Sequence, residues 1–394
     1  MSTAQFLFKV ATLPFKVLQT VLEYYTTGTV YSRTSTEFRS SLWKNICVSV
    51  EYYLEGSITK TCIYLFAYKK ITSLFGAFRS NPMVTSSSLP HYGEKYTEHS
   101  YWLVKNDCSS AEDEEVIVFL HGGGFALCFF RCQFVGLLAL YHAMRRSSRK
   151  NVSILLVDYS LTIFDKKYPT QIHETLEAYK KLTDDGYKKI HLFAESCGSN
   201  LALVVSRFIA YPEEAQKHFS QFKEFDFNFN IELQPTSLVL ISPWLEPKKT
   251  PQLPPKHGAN VDGDLGARDT IMADWYLENV EAEGIDDWFM FSETGYDFWS
   301  KVKSFQDDSK ALIVYGEREV LRDGIETWIN NMRNGGGKLS VSLVKGGIHS
   351  GMFYAESLDY DFHSGAKRAL RGDFEDKFTF NRVCQFYENL FSAY

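Results

Sequence analysis

Short, nearly continuous apolar runs recur along the chain from about residue 98, each bounded by polar or turn-forming residues. Val116–Leu120, Ser153–Val157, Ile190–Phe193, Ser237–Ile241, Ala311–Tyr315 and Leu339–Val344 read as strands. Runs of this length without a polar alternation suit strands buried on both faces. Between them, apolar positions return at helical spacing near 133–147, over Pro169–Leu182, from 197 to Ile209 and in a helix running to Met332. Strands alternating with helices predict an α/β fold: a mostly parallel central sheet joined by crossover helices on both faces. Residues 250–305, long, polar and aromatic between two strands, read as an insertion over the sheet edge.

The first 95 residues carry a different pattern. The segment 1–25 is apolar but broken by Lys9, Pro14 and Lys16, and Cys62–Tyr68 is a second, shorter apolar stretch. Crossing a bilayer takes about 20 predominantly apolar residues, so a helix lying in a membrane interface or packing on the body is favoured over a span. Ser and Pro residues in 80–93 suggest a linker. The expected division is therefore 1–95 as a helical cap or membrane-associating region and 96–394 as the catalytic domain.

Charge sharpens this picture. The 394-residue chain has a formal charge of −6, which argues against a general affinity for nucleic acid. Residues 1–110 hold 11 Lys/Arg against 7 Asp/Glu, and the remainder 31 against 41. A basic, aromatic first third beside an acidic body fits an anionic membrane surface. The seven cysteines are scattered without metal-ligand spacing, so they read as free thiols in place of a disulfide framework.

Candidate chemistry falls at the carboxyl ends of the expected strands, where a doubly wound sheet gathers its ligands. Ala194-Glu195-Ser196-Cys197-Gly198 follows a strand and opens a helix, the context of a nucleophile elbow. The competing reading of Ser196, a helix N-cap, weakens when the other loops are counted. His121-Gly122-Gly123-Gly124 directly follows the strand Val116–Leu120. Three glycines allow a backbone whose N–H groups point into a site, where they would stabilise an oxyanion. Gly123 and Gly124, with Cys197 as a third amide, are the preferred donors within the Gly122–Gly124 loop. His121 is expected to hold this loop and not to move protons. After Ala311–Tyr315 comes an acidic loop in which Glu319 is preferred over Asp323, and both over Glu317, as the orienting acid. His349 sits in a glycine-rich loop after the last strand, the place of a general base. The order serine, acid, histidine is that of the α/β-hydrolases.

With these residues placed, the sequence resembles the hormone-sensitive-lipase-like group of α/β-hydrolases, and within it the fungal steryl acetyl hydrolases. The resemblance spans about residues 98–354. It rests on His121–Gly124, Val157–Leu161, Tyr168–Gln171, the elbow at Ser196, Ile241–Trp244, Glu319–Asp323 and His349. It implies an α/β-hydrolase fold, a Ser196–His349–Glu319 triad, no cofactor or metal, and an N-terminal cap or anchor. It also implies an endoplasmic-reticulum membrane location and acetylated sterols or similar lipids as substrates. The group normally reads G-D-S-A-G at the elbow and has Asp where Glu319 stands. These departures bear on substrate range and catalytic strength. Three alternatives stay open: a general lipophilic esterase or lipase, acyl transfer to an alcohol, and a catalytically silent binding protein on the same fold.

Overall fold

The apolar runs assemble into one sheet. In the computed structural model, which describes residues 3–55, 58–86, 89–107, 110–147, 152–223, 225, 229–250, 262–265 and 269–392, eight strands line up in the order β1-β2-β4-β3-β5-β6-β7-β8. In chain order these are β1 (Lys95–Thr97), β2 (Ser100–Val104), β3 (Glu115–Leu120), β4 (Val152–Val157), β5 (Lys189–Glu195), β6 (Ser237–Ile241), β7 (Ala311–Gly316) and β8 (Ser340–Val344). The strands from β3 to β8 pair in parallel, whereas β1 and β2 add an antiparallel edge. That edge has no counterpart in the expected strand list, because β1 is three residues long and both pairings at this edge slip register.

Side chains alternate across the sheet with the period of two that a pleat imposes. Val116, Val118 and Leu120 of β3 join one core, and Ile117 and Phe119 join the other. Both faces are therefore dry, which explains why the strands read as unbroken apolar runs. Helix Cys197–Ala210 is buried along its whole length against the first core. Helix Arg131–Ser147 and the C-terminal helix Phe378–Ser392 cover the second.

The N-terminal segment is packed onto this body. Tyr31, Phe38 and Val48 form a small apolar cluster with Ile348 and Ala355, so they brace the residue next to His349. Lys44 and Lys377, both almost fully buried, share Glu37 and Asp359: Lys44 Nζ lies 2.6 Å from Asp359, and Lys377 Nζ lies 2.9 Å from Glu37 and 2.5 Å from Asp359. Glu37 and Asp359 are half-buried and each meets both cations, so the two lysines tie the N-terminal segment to the C-terminal part of the body through one shared network. Within 80–93, Pro82–Thr85 is helical and Met83 is buried in the core. A segment rich in Ser and Pro thus carries a core residue and does not behave as a linker. Of the stretch 250–305, residues 251–261 and 266–268 lie outside the described residues.

Candidate active site

Ser196 sits at the carboxyl end of β5, where the chain turns directly into helix Cys197–Ala210. Its backbone lies at φ 53°, ψ −120°, a strained conformation that costs about 1–3 kcal/mol and persists only when its surroundings enforce it. Those surroundings are explicit. The Ser196 N–H donates to Ile241 O at 2.9 Å, and the Trp244 N–H donates to Ser196 O at 3.1 Å. Gly198 is indispensable to the turn, since a Cβ there would collide with the backbone carbonyl oxygens of Leu120 and His121. Ala194, in place of the usual glycine, is accommodated within the core.

The structure brings the expected base to the expected nucleophile. His349 Nε2 lies 3.0 Å from Ser196 Oγ, and both residues are buried. Glu319, completely buried, stands on the far side of the imidazole with its Oε2 3.9 Å from His349 Nδ1. The same Oε2 accepts the Ser242 hydroxyl at 2.6 Å and the Gly316 N–H at 3.1 Å. Burial and the charge of Asp264 push the Glu319 carboxyl well above the usual carboxylate range, and these two donors pull it back. Asp323 begins helix Arg322–Asn334 as a first-turn acid, and Glu317 accepts the Gly346 N–H at 2.8 Å.

Two further residues organise these loops. Ser242, at φ 48°, donates to Glu319 while its oxygen accepts the Ser350 N–H at 2.9 Å. One hydroxyl thus joins the acid loop to the base loop. Asp264, fully buried, accepts the His349 N–H at 2.7 Å through one oxygen and the Val320 N–H at 2.6 Å through the other. Neither bond is visible in local sequence. Ser242 lies in the Ile241–Trp244 motif, but Asp264 sits in a short polar stretch that reads as a solvated loop.

The glycine loop after β3 packs against the elbow. Gly123 and Gly124 have positive φ, 107° and 59°, and both line the cavity in front of Ser196. A Cβ on Gly124 would strike Met272 Sδ. The Gly122 N–H faces the Glu195 carboxylate instead. Glu195 also accepts Gln133 Nε2 at 2.8 Å, and burial pushes its carboxyl up to about 7. Phe125 N–H donates to Cys197 Sγ at 3.3 Å, locking the loop to the helix start. His121 is buried with its Nδ1 2.7 Å from Gly122 O and its ring stacked 4.1 Å from Tyr159. Desolvation lowers its pKa to about 4, which keeps it neutral and suits a loop anchor.

Ser196 and His349 open onto a cavity of about 340 Å³, within the usual size range for small-molecule sites. Its floor is the glycine loop and Trp244; Leu265, Met272 and Trp275 form one wall. Phe6, Leu54, Ile63 and Phe66 of the N-terminal segment supply the roof. Six cysteines fall among the described residues, all of them free thiols.

Residues 5–351 match the family model described as steryl acetyl hydrolase. The chain is 30% identical over 381 residues to the steryl acetyl hydrolase homologue mug81 of Schizosaccharomyces pombe, covering 91% of this chain and 92% of that one. Steryl acetyl hydrolase 1 of Saccharomyces cerevisiae is 28% identical over 135 residues, 33% of this chain and 27% of its own. Among solved structures, a hormone-sensitive lipase from a metagenome library superposes with a TM-score of 0.52 at 14% identity, covering 82% of this chain and 91% of that one. The esterase EstE5 superposes with a TM-score of 0.51 at 16% identity, covering 88% and 98%. These two likenesses establish the α/β-hydrolase fold.

Proposed function

The chain belongs to the steryl acetyl hydrolase family and is a carboxylic ester hydrolase, and from that premise we propose that it removes acetyl groups from sterols or similar bulky apolar alcohols. The observation that carries the proposal is the 3.0 Å approach of His349 Nε2 to Ser196 Oγ at the floor of a large, mainly apolar cavity.

In the proposed reaction His349 takes the Ser196 proton as Oγ attacks the ester carbonyl. Glu319 orients the imidazole and balances the imidazolium. The oxyanion is met by the N–H groups of Gly123, Gly124 and Cys197. A pre-aimed donor of this kind stabilises the transition state by about 3 kcal/mol. His349 then returns the proton to the departing alcohol, leaving an acetyl group on Ser196. Water, deprotonated by the same imidazole, attacks that acyl-enzyme and releases acetate. Residues 96–394 form the catalytic domain in this reading, and residues 1–95 act as the cap that closes the cavity.

The cap also supports docking to a membrane surface. Among the described residues no helix is long and apolar enough to cross a membrane. Helix Thr3–Tyr25 nevertheless exposes Phe8, Phe15, Leu18 and Leu22, and the neighbouring turn exposes Tyr64, Leu65 and Phe66. Soluble surfaces rarely carry so many contiguous apolar side chains without a partner. Phe66 belongs both to this patch and to the cavity lining, so a lipophilic ester would pass from bilayer to site along one apolar path. An endoplasmic-reticulum membrane fits this surface, and cell fractionation tests it.

A panel of acetyl, butyryl and long-chain esters of sterols and of simple alcohols tests the substrate class. Highest kcat/KM on acetates of bulky apolar alcohols supports the proposal. A maximum on long-chain esters of glycerol would replace it with a general lipase, the reading that an apolar cavity also accommodates.

A further inference from the structure

Most of the cavity lining is apolar, and the acidic groups on it include one in its roof, in front of Ser196. Helix Leu42–Glu55 turns Glu51 into the space in front of Ser196. No described residue gives the Glu51 carboxylate a hydrogen bond or an ion pair. Its side chain retains accessible surface because it faces the cavity, while protein surrounds it deeply enough to push its carboxyl up to about 7. Cys132 and Tyr354 feel its charge, and Tyr354 is a cavity wall.

An unpartnered carboxyl that faces an apolar cavity is left to solvent while the cavity is free of substrate. An apolar substrate filling the cavity would take that carboxyl from water, which is costly unless the substrate itself returns a hydrogen bond. The ordinary occupant of this position on an apolar roof would be leucine or phenylalanine, as at Leu54 and Phe66. A group that the fold does not need is accounted for by a ligand that does. Among the described lining residues none is Lys or Arg, whereas Glu55 and Asp269 add further acidic groups. The cavity therefore disfavours anions. It suits a neutral hydrogen-bonding group, which either protonation state of Glu51 can bind: the carboxylate accepts from a hydroxyl, and the carboxylic acid donates to one.

We propose that Glu51 is a specificity-determining residue that binds a second hydroxyl on the alcohol part of the ester, so that the preferred substrates are monoacetates of bulky apolar diols. This deepens the ester-hydrolase reading and rests on it. The hydroxyl enters no bond-making step. It fixes the orientation of the rigid alcohol so that the acetyl carbonyl lies between Ser196 and the glycine loop. Its contribution is uniform across ground state and transition state, so it belongs in KM and not in kcat.

The test uses the full-length protein and two steroid 3-acetates that are identical except for one hydroxyl at the end of the ring system remote from the ester. The wild-type protein should favour the hydroxylated acetate by about tenfold in kcat/KM, mostly through KM, as one hydrogen bond to a carboxyl group provides. Glu51→Leu should abolish that preference, since it replaces the carboxyl with an apolar side chain. Glu51→Gln, which can still donate and accept, should keep part of the preference. An equal kcat/KM for the two acetates in the wild-type protein would overturn the proposal, as would an undiminished preference in Glu51→Leu. An analogue bearing an ammonium group at the same position gives a further check: if it outperforms the hydroxylated acetate at pH 8, the site selects cations and the hydroxyl assignment falls. Failure of the ester-hydrolase reading would look different, as wild-type protein that cleaves neither acetate.

Discussion

Replacing Glu319 with glutamine isolates what its charge does. The amide oxygen of the new side chain can still accept the Ser242 hydroxyl and the Gly316 N–H, so the fold should survive with a melting temperature close to wild type. What disappears is a full negative charge 3.9 Å from His349 Nδ1. At an effective dielectric constant of about 20, a unit pair at that separation interacts by about 4 kcal/mol. The interaction exists only after the imidazole has taken the serine proton, so it belongs to the transition state and should appear in kcat. Each 1.36 kcal/mol is tenfold, and the expected loss is about a thousandfold. Because burial and Asp264 raise the Glu319 carboxyl, the wild-type rate should also fall as acid protonates it, and the variant should lack that limb. Initial rates on p-nitrophenyl acetate from pH 5 to 9, with circular dichroism to verify folding, measure all of this. Asp323→Asn serves as the control, since that residue lies in the first turn of a helix and is expected to change kcat by no more than about fivefold, in line with a helix-terminus charge of about 0.3–1 kcal/mol. A Glu319→Gln rate within tenfold of wild type would refute the reasoning, and so would a larger loss in Asp323→Asn.

Other perturbations probe the frame around the site. Gly198→Ala should destabilise the protein by on the order of 3 kcal/mol, because the new Cβ meets two backbone carbonyls that cannot step aside; a loss of stability in urea of less than about 1 kcal/mol would show that the elbow has slack. Glu195 and Glu356 are buried, and burial pushes each carboxyl up to about 7. Groups raised in this way favour the fold while protonated and lose that contribution as pH rises through the raised value, so the urea midpoint should be lower at pH 8 than at pH 6, and an unchanged or higher midpoint would count against it. The double substitution Phe15→Glu with Leu22→Glu should reduce sedimentation with anionic vesicles by at least tenfold, given about 1.5–3 kcal/mol per buried apolar side chain; undiminished binding would move the docking surface elsewhere.

The parallel sheet was readable because strands dry on both faces leave unbroken apolar runs, and Val116–Leu120 and Ser237–Ile241 illustrate this with boundaries within a residue of the observed ones. The antiparallel edge was not, since Lys95–Thr97 is short and half exposed and carries no periodicity. Within the site, the turn chemistry announced Ser196 and His349: small residues and glycines crowd a sharp bend directly after a strand. Residues that act through tertiary contacts left no such mark. Asp264 bonds to groups 56 and 85 positions away, and its sequence neighbours resemble any polar loop. Glu51 lies on a helix where an acid ordinarily faces bulk solvent, and only the fold shows that it faces the cavity of Ser196. Met83, Val84 and Leu89 taught the converse, since these core residues fix a segment whose composition suggests a tether.

The most direct test of the account is to find which side chain becomes acylated. Incubation with a fluorophosphonate, followed by digestion and mass spectrometry, should place the phosphonyl group on the peptide containing Ser196, with labelling abolished in Ser196→Ala and strongly slowed in His349→Ala. A phosphonyl adduct on any other residue, or labelling that persists in Ser196→Ala, would contradict it.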